Sequence, residues 1–185
     1  RSHCDWSSDV CSSDLTALAI PLAIQAGLGE YGRHGLVITP EFGPRVRFGK
    51  IFTDLPVGHD VPVEFGVSEF CEVCRRCTDA CPPKAIPDGA PSPVKLNRSA
   101  IKGVRKWSVD GEKCFSYWTQ IVTDCMICMR VCPYNKDFTK RRHRLGRRLA
   151  STGLRKVMLR LNDRLGYGER LKPRNWWAGA TRRRL

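Results

Sequence analysis

Four cysteines within eleven residues constrain this chain more than any other feature of its sequence. They lie in the run CEVCRRCTDACPPKAI, separated by two, two and three residues, and a proline follows the last of them. A sparser run, DCMICMRVCP, comes further along the chain and repeats the end of the same pattern. Three interpretations compete for cysteines of this density: disulfides, zinc ligands and ligands of iron–sulfur clusters.

The spacing favours iron–sulfur clusters over the other two. Cysteines two residues apart seldom bridge one another without strain, and small disulfide scaffolds spread their cysteines more evenly. Zinc uses paired C-x2-C knuckles, with four ligands to each tetrahedral site. The complete run C-x2-C-x2-C-x3-C-P is the bacterial ferredoxin motif, in which the fourth cysteine binds a second cluster. Zinc and disulfides remain the alternatives.

The second run lacks one cysteine, and Cys114 lies eleven residues before it, where it can supply the missing ligand. Eight thiolates then serve two [4Fe-4S] clusters. The first cluster is assigned Cys71, Cys74, Cys77 and Cys132, and the second Cys81, Cys114, Cys125 and Cys128. Since Cys81 and Cys132 each cross to the other cluster, the two clusters should be adjacent and exchange single electrons rapidly.

The first fifteen residues are treated separately from the fold. The segment DWSSDVCSSDL has no apolar period and resembles the conceptual translation of a sequencing-adapter oligonucleotide. We therefore expect residues 1–15 to be artefactual, which removes Cys4 and Cys11 and leaves the true N-terminus unknown. The alternative is a disordered N-terminus. The apolar segment 16–29 is too short to span a bilayer and predicts a buried helix or strand–helix piece.

A glycine-punctuated segment and two strand-like runs precede the cysteines. LVITP (36–40) and VRFGKIFTD (46–54) predict a β-hairpin closed by the turn EFGPR. The loop GLGEYGRHG allows close approach of its backbone to a ligand, although its glycines do not match a phosphate-binding pattern. His34 is predicted to be a surface or hydrogen-bonded histidine.

The formal charge of +14 belongs wholly to the tail, because residues 138–185 contain 16 Lys and Arg against 2 Asp and Glu. Within this tail an apolar period predicts an amphipathic helix with a solvated basic face. Its apolar positions are Leu154, Val157, Met158, Leu161 and Leu165. Contact with a membrane surface or nucleic acid is the alternative. Trp176 and Trp177 are predicted to be packed anchors.

Several segments together resemble the corrinoid- and iron–sulfur-dependent reductive dehalogenases. They are AGLGEYGRHGLVITPEFGPRVR, FTDLPV, FCEVCRRCTDACPPKAI, KWSVDGEKC, DCMICMRVCPYNK and LGYG…WW. The resemblance implies the C-terminal part of a larger enzyme with an α+β fold. A ferredoxin-like domain with two [4Fe-4S] clusters (67–137) would be attached to the remnant of a nitroreductase-like corrinoid-binding core (16–66). A basic helical tail (138–185) would follow.

The resemblance also implies an activity and further site residues. The clusters would pass electrons to a corrinoid (cobalamin) that replaces a carbon-bound halogen with hydrogen. Arg47 matches an active-site arginine that would orient a proton-donating tyrosine upstream of this segment; the alternative is a strand-end salt bridge. Gly27, Gly29 and Glu30 would lie beside the corrinoid, mainly through backbone contacts. This chain alone should be inactive.

The partners implied are an organohalide substrate, an electron donor (reduced ferredoxin, a flavoprotein or a quinol-linked donor) and a small membrane anchor protein. A nucleic-acid partner is not expected. Respiratory members lie on the exported side of the membrane and catabolic members in the cytoplasm, and the sequence does not decide between them. Two alternatives stay open: an epoxyqueuosine reductase-like tRNA-modifying enzyme, which shares the corrinoid and both clusters, and a plain electron-transfer ferredoxin domain.

Overall fold

The computed structural model describes residues 18–51, 53–94, 96 and 103–169. The described part is mixed α/β and mostly helical. Its elements, in order, are α1 (Ala19–Gln25), β1 (Glu30–Tyr31), β2 (Val37–Ile38), α2 (Val67–Val73), α3 (Arg76–Ala80), α4 (Gly111–Ile121), α5 (Ile127–Arg130), α6 (Arg141–Ala150) and α7 (Arg155–Arg164). Residues 1–15 and the predicted anchors Trp176 and Trp177 lie outside the described residues.

The apolar segment near residue 20 forms a helix, as predicted, but few of its side chains are buried. Pro21 lies in the first turn of α1, where its missing N–H has no intrahelical acceptor to lose. Ala23 is the buried residue of this helix, whereas Leu18 and Leu22 are almost half exposed. The prediction of a helix is confirmed, and its burial is only partial.

The strand at 37–38 pairs with a partner that the sequence did not indicate. β1 and β2 are antiparallel, with Glu30 opposite Ile38 and Tyr31 opposite Val37. The predicted strand at 46–54 is wrong, since its described residues form no strand and Ile51 is 92% exposed. β-propensity marks residues that suit a pleated surface but does not select the partner.

The turn predicted at EFGPR is confirmed and is held against the cysteine-bearing region. Thr39 and Gly43 exchange backbone hydrogen bonds of 3.0 Å, and the Phe42 amide donates to Thr39 Oγ1. Gly43 has φ of +62°, and a Cβ atom there would lie 1.9 Å from the carbonyl oxygen of Tyr134. Only glycine therefore allows this turn to pack directly on the backbone after the last cysteine.

The main core surrounds Tyr134, which follows the second cysteine run. Its ring meets the Phe70 ring edge-on, with centroids 5.2 Å apart, and also contacts Phe65 and Phe138. Phe70 belongs to α2, so this aromatic contact joins the two cysteine runs. Edge-to-face pairs of this kind contribute about 0.5–1.5 kcal/mol beyond the burial of their area.

Glu30 fastens the hairpin to the start of α2. Its Oε1 accepts a hydrogen bond from the Phe65 amide, and its Oε2 accepts from the amides of Val67 at 3.1 Å and Ser68 at 3.4 Å. The residue before the helix, Gly66, has no side chain that could cap it. A carboxylate from another element therefore satisfies the N–H groups that a helix N-terminus leaves free.

The basic amphipathic helix is confirmed as α7, but its buried face differs from the predicted one. Met158 and Asn162 are buried, whereas Leu161 and Leu165 are about half exposed. Asn162 turns inward because its Oδ1 accepts a hydrogen bond from Lys136 Nζ. Across the described ranges, no helix is both long and apolar enough to cross a membrane.

Candidate functional site

Short helices present the cysteines of both runs. Cys71 lies in α2, Cys77 lies in α3, and Cys81 comes directly after α3. In the second run Cys128 lies in α5, with Cys132 just beyond it. In both runs the three-residue step between cysteines therefore lies on a short helical turn. As a result α3 carries one cysteine near each of its ends.

Three thiols, those of Cys71, Cys74 and Cys132, pack in the aromatic core. The charge of Cys77 acts on Cys71 and Cys132, and we call these four residues the first set. Burial, followed by the charges of neighbouring thiols, raises the pKa of Cys71 and of Cys77 to about 12. Burial raises the pKa of Cys132 well above its ordinary value, with the charge of Cys71 the next cause. Within this set each thiol thus acts electrostatically on others.

The second set comprises Cys81, Cys114, Cys125 and Cys128. Burial, followed by the charges of Cys125, Cys114 and Cys81, raises the pKa of Cys128 to about 11. Burial also raises the pKa of Cys114, followed by the effects of Cys81 and Cys125. The four residues predicted as ligands of the second cluster therefore lie together.

The two sets adjoin at Cys77. This residue packs in the same apolar cluster as Cys81, with Cys128 beside them, and the charge of Cys128 contributes to its raised pKa. Its strongest charge interaction is with Cys74 of the first set, so we assign it there. α3 also packs against α5, which brings the two cysteine runs together.

The residues present fit iron–sulfur clusters. The eight cysteines that the structure describes are free thiols. Within the described ranges, no three His, Cys, Asp or Glu side chains converge tightly enough for a single metal ion; a cubane spreads its thiolates more widely, because each binds a different iron. Tyr134 Oη is buried near Cys71 and Cys132 and has no partner among the described residues. A sulfur-rich group there would give this hydroxyl an acceptor.

Sequence reasoning missed Arg33, a buried arginine beside the first set. It is 2% exposed, and its Nε donates to the Cys71 carbonyl oxygen at 3.0 Å. Its Nη1 donates to the carbonyl oxygens of Pro87, Asp88 and Gly89, each at 3.0 Å. No local pattern could have indicated this role, because all the acceptors are backbone groups distant in sequence.

A cavity of about 730 Å³ opens beside the second set. Its wall includes Cys114, Cys125 and Cys128, together with Phe115, Trp118 and Met129. Arg47 lines the cavity and is exposed. The structure thus places the predicted arginine and three predicted cluster ligands around one space.

Gly27, Gly29 and Glu30 do not line this cavity. A Cβ atom at Gly27 would lie 2.5 Å from the Val61 carbonyl oxygen, and one at Gly29 would lie 2.3 Å from that of Ile38. These glycines therefore permit close approach to the chain's own backbone, and Glu30 caps α2.

His34 is another residue at the cavity wall. Its Nδ1 accepts a hydrogen bond from the Leu36 amide at 3.2 Å, which confirms that it is hydrogen-bonded. Burial lowers its pKa to about 4, so the ring is neutral at pH 7 and carries its proton on Nε2.

Comparison with known proteins agrees with this arrangement. Residues 70–135 match the family of 4Fe-4S double cluster binding domains. A tetrachloroethene reductive dehalogenase of Desulfitobacterium hafniense is 45% identical over 130 residues, covering 68% of this chain and 23% of that protein. One from Sulfurospirillum multivorans is 38% identical over 162 residues, covering 87% and 32%. An epoxyqueuosine reductase of Lactococcus garvieae is 32% identical, covering 67% and 34%.

Solved structures show the same relationship. A reductive dehalogenase structure that suggests a mechanism for B12-dependent dehalogenation superimposes with a TM-score of 0.70 at 31% identity, covering 81% of this chain and 21% of that one. The chain thus spans about a fifth to a third of the length of the relatives it matches. Sequence and fold together show that it belongs to the reductive dehalogenase family.

Proposed function

We propose that this chain is the electron-transfer part of an enzyme that replaces a carbon-bound halogen with hydrogen. The net reaction is R–X + 2e⁻ + H⁺ → R–H + X⁻. The observation that carries this proposal is the pair of adjoining four-thiol sets, one of which lines an open cavity. When bound, two [4Fe-4S] clusters supply one-electron transfer and a corrinoid supplies the carbon–halogen chemistry.

The eight thiols would hold the clusters as two sets of four. Cys71, Cys74, Cys77 and Cys132 would bind the first, and Cys81, Cys114, Cys125 and Cys128 the second. The support is that other thiols of the same set raise the pKa of five members, which are Cys71, Cys77, Cys114, Cys128 and Cys132. Because buried thiols hold their protons, loading must release protons to form thiolates. The junction at Cys77 keeps the path between the sets short.

The cavity beside the second set would take part of the corrinoid. Cys114, Cys125 and Cys128 contribute to its wall, so electrons that leave this set arrive at the cavity without crossing further protein. Apolar side chains such as Phe115 and Trp118 would exclude water from that face. A corrinoid contact through the backbone of Gly27, Gly29 or Glu30 stays a prediction beside the internal roles described above.

Arg47 would assist proton delivery from the exposed edge of the cavity. A fixed guanidinium there would orient a tyrosine supplied by the rest of the enzyme and favour its phenolate after the proton has left. The support is its position on the wall that the second set also lines. The salt-bridge alternative would place a carboxylate against this side chain.

The substrate is proposed to be an organohalide, as it is for the tetrachloroethene reductive dehalogenases that the chain resembles. A reduced ferredoxin, a flavoprotein or a quinol-linked donor would supply the electrons. A small membrane anchor and the exported or cytoplasmic location depend on the resemblance alone. The tRNA-modifying alternative has weaker support, because its relatives are less similar to this chain.

Metal analysis of the full-length gene product, made anaerobically with cobalamin, tests the proposal. We expect about eight irons, as many sulfides and one cobalt per protein, as two cubanes and one corrinoid require. Halide release from organohalides, without epoxyqueuosine reduction in tRNA, would then identify the reaction. Eight irons without cobalt would leave only an electron-transfer ferredoxin, and an absence of iron would refute the cluster assignment.

A further inference from the structure

Arg33 is a buried cation held in one orientation. Four backbone carbonyl oxygens accept its hydrogen bonds, and its guanidinium carbon lies 4.9 Å from the centre of the Trp107 ring. Among the described residues, no carboxylate forms an ion pair with it. Burying a charge is costly unless something compensates it. Carbonyl dipoles and a ring face compensate it partly, which leaves a net positive charge inside the protein.

This charge lies beside the first thiol set. Arg33 Nε donates to the Cys71 carbonyl oxygen at 3.0 Å, and its other acceptors are the carbonyl oxygens of the segment 87–89. Within the described ranges, no hydrogen bond joins Arg33 to a residue of the second set. The two sets therefore differ in their contact with this fixed buried cation.

We propose that Arg33 holds the reduction potential of the first cluster above that of the second. The inference rests on the proposed function, because it concerns clusters bound to these thiols. A [4Fe-4S] core with four thiolates is negatively charged and gains one more negative charge on reduction. A fixed cation nearby therefore stabilises the reduced form more than the oxidised form. Arg33 is a positioning residue in this sense, since it acts through the cluster.

The asymmetry gives the electron path a direction. The set without the cation lines the cavity, so the cluster there is the stronger reductant and faces the acceptor. The set beside Arg33 stores an electron at lower free energy and refills the second set after each transfer. In each such step one cluster loses one electron and the other gains it, with no bond made or broken.

The test is a redox titration of the iron- and sulfide-loaded protein, followed by EPR. We expect two one-electron midpoint potentials. Arg33→Gln should reduce the equilibrium constant for filling the higher-potential cluster at least tenfold, which is 59 mV for one electron, and leave the lower potential in place. The control is Arg75→Gln, which removes an exposed arginine paired with Asp88 and should move neither potential appreciably, because solvent screens its charge.

A second variant separates charge from structure. Arg33→Lys keeps the cation but loses the fork of hydrogen bonds, and it should retain at least half of the potential difference. Full iron content in Arg33→Gln with both potentials unchanged, or with both lowered equally, would overturn the inference. Where Arg33→Gln loses the first cluster, the lysine variant decides. A potential of the first cluster that is lower by 59 mV or more in Arg33→Lys, despite the retained charge, would overturn the inference. A wild-type protein without iron would instead refute the proposed function.

Discussion

Glu30→Gln tests whether this residue holds α2 in place or contacts the corrinoid. The change preserves shape but turns one carboxylate oxygen into an amide NH2 group. That group would face the backbone N–H groups of Val67 and Ser68, which now donate to Oε2 at 3.1 and 3.4 Å. Hydrogen bonds to a charged group contribute about 1.5–3 kcal/mol each. Counting the longer one as weak, the free energy of unfolding should fall by about 2–4 kcal/mol.

Urea unfolding of the metal-free chain, followed by circular dichroism, measures this loss. In a chain of this length it corresponds to a fall in Tm of roughly 5–15 °C. Glu69→Gln is the matched control, because it makes the same change on an exposed residue in the first turn of the same helix. That variant should stay within about 0.5 kcal/mol of the wild type. Unchanged stability in Glu30→Gln, together with lost cobalt binding, would refute the capping role and support the corrinoid contact.

Two further predictions concern the cavity wall. Burial holds the pKa of His34 near 4, below the 6.5 of an exposed histidine, so only the unfolded chain takes up a proton between these values. The stabilisation that this residue contributes is fully present above pH 6.5 and falls by about 3 kcal/mol toward pH 4. In His34→Gln the free energy of unfolding, measured in urea, should therefore vary less across that pH range. An unaltered pH profile would contradict the burial argument. Arg47→Ala should slow halide release by the loaded full-length enzyme on the order of tenfold, more than Arg45→Ala on the same wall, and wild-type turnover would exclude its role in proton delivery.

The cysteine spacing predicted the grouping of the thiols because the constraint is local. A step of three residues on a helical turn separates Cys77 from Cys81, and the same step separates Cys128 from Cys132. In the structure each such pair is divided between the two sets, with Cys77 and Cys132 in the first and Cys81 and Cys128 in the second. The pattern therefore carried most of the information about the candidate site, including the contribution of Cys114.

The rest of the site depends on contacts that local sequence does not encode. Arg33 and Glu30 bind backbone groups 35 or more residues away. Because nearly every residue has the same backbone carbonyl and amide, the sequence does not mark which of them a side chain will bind. The pairing of β2 was wrong for a similar reason, because strand propensity does not choose between an upstream and a downstream partner. In α7 the apolar period predicted the helix correctly, whereas the contact between Lys136 and Asn162 determines which face of the helix is buried.

The contacts of Glu30 and Arg33 also bear on how such a module could be transplanted. Both side chains precede residue 67, yet one anchors the helix that carries Cys71 and the other binds the Cys71 carbonyl oxygen. A truncation beginning at the first cysteine helix would keep every thiol and lose both of these supports. In this chain the cysteine-bearing region and the segment before it therefore form one structural unit, and a cut made at the motif boundary would yield a different redox protein.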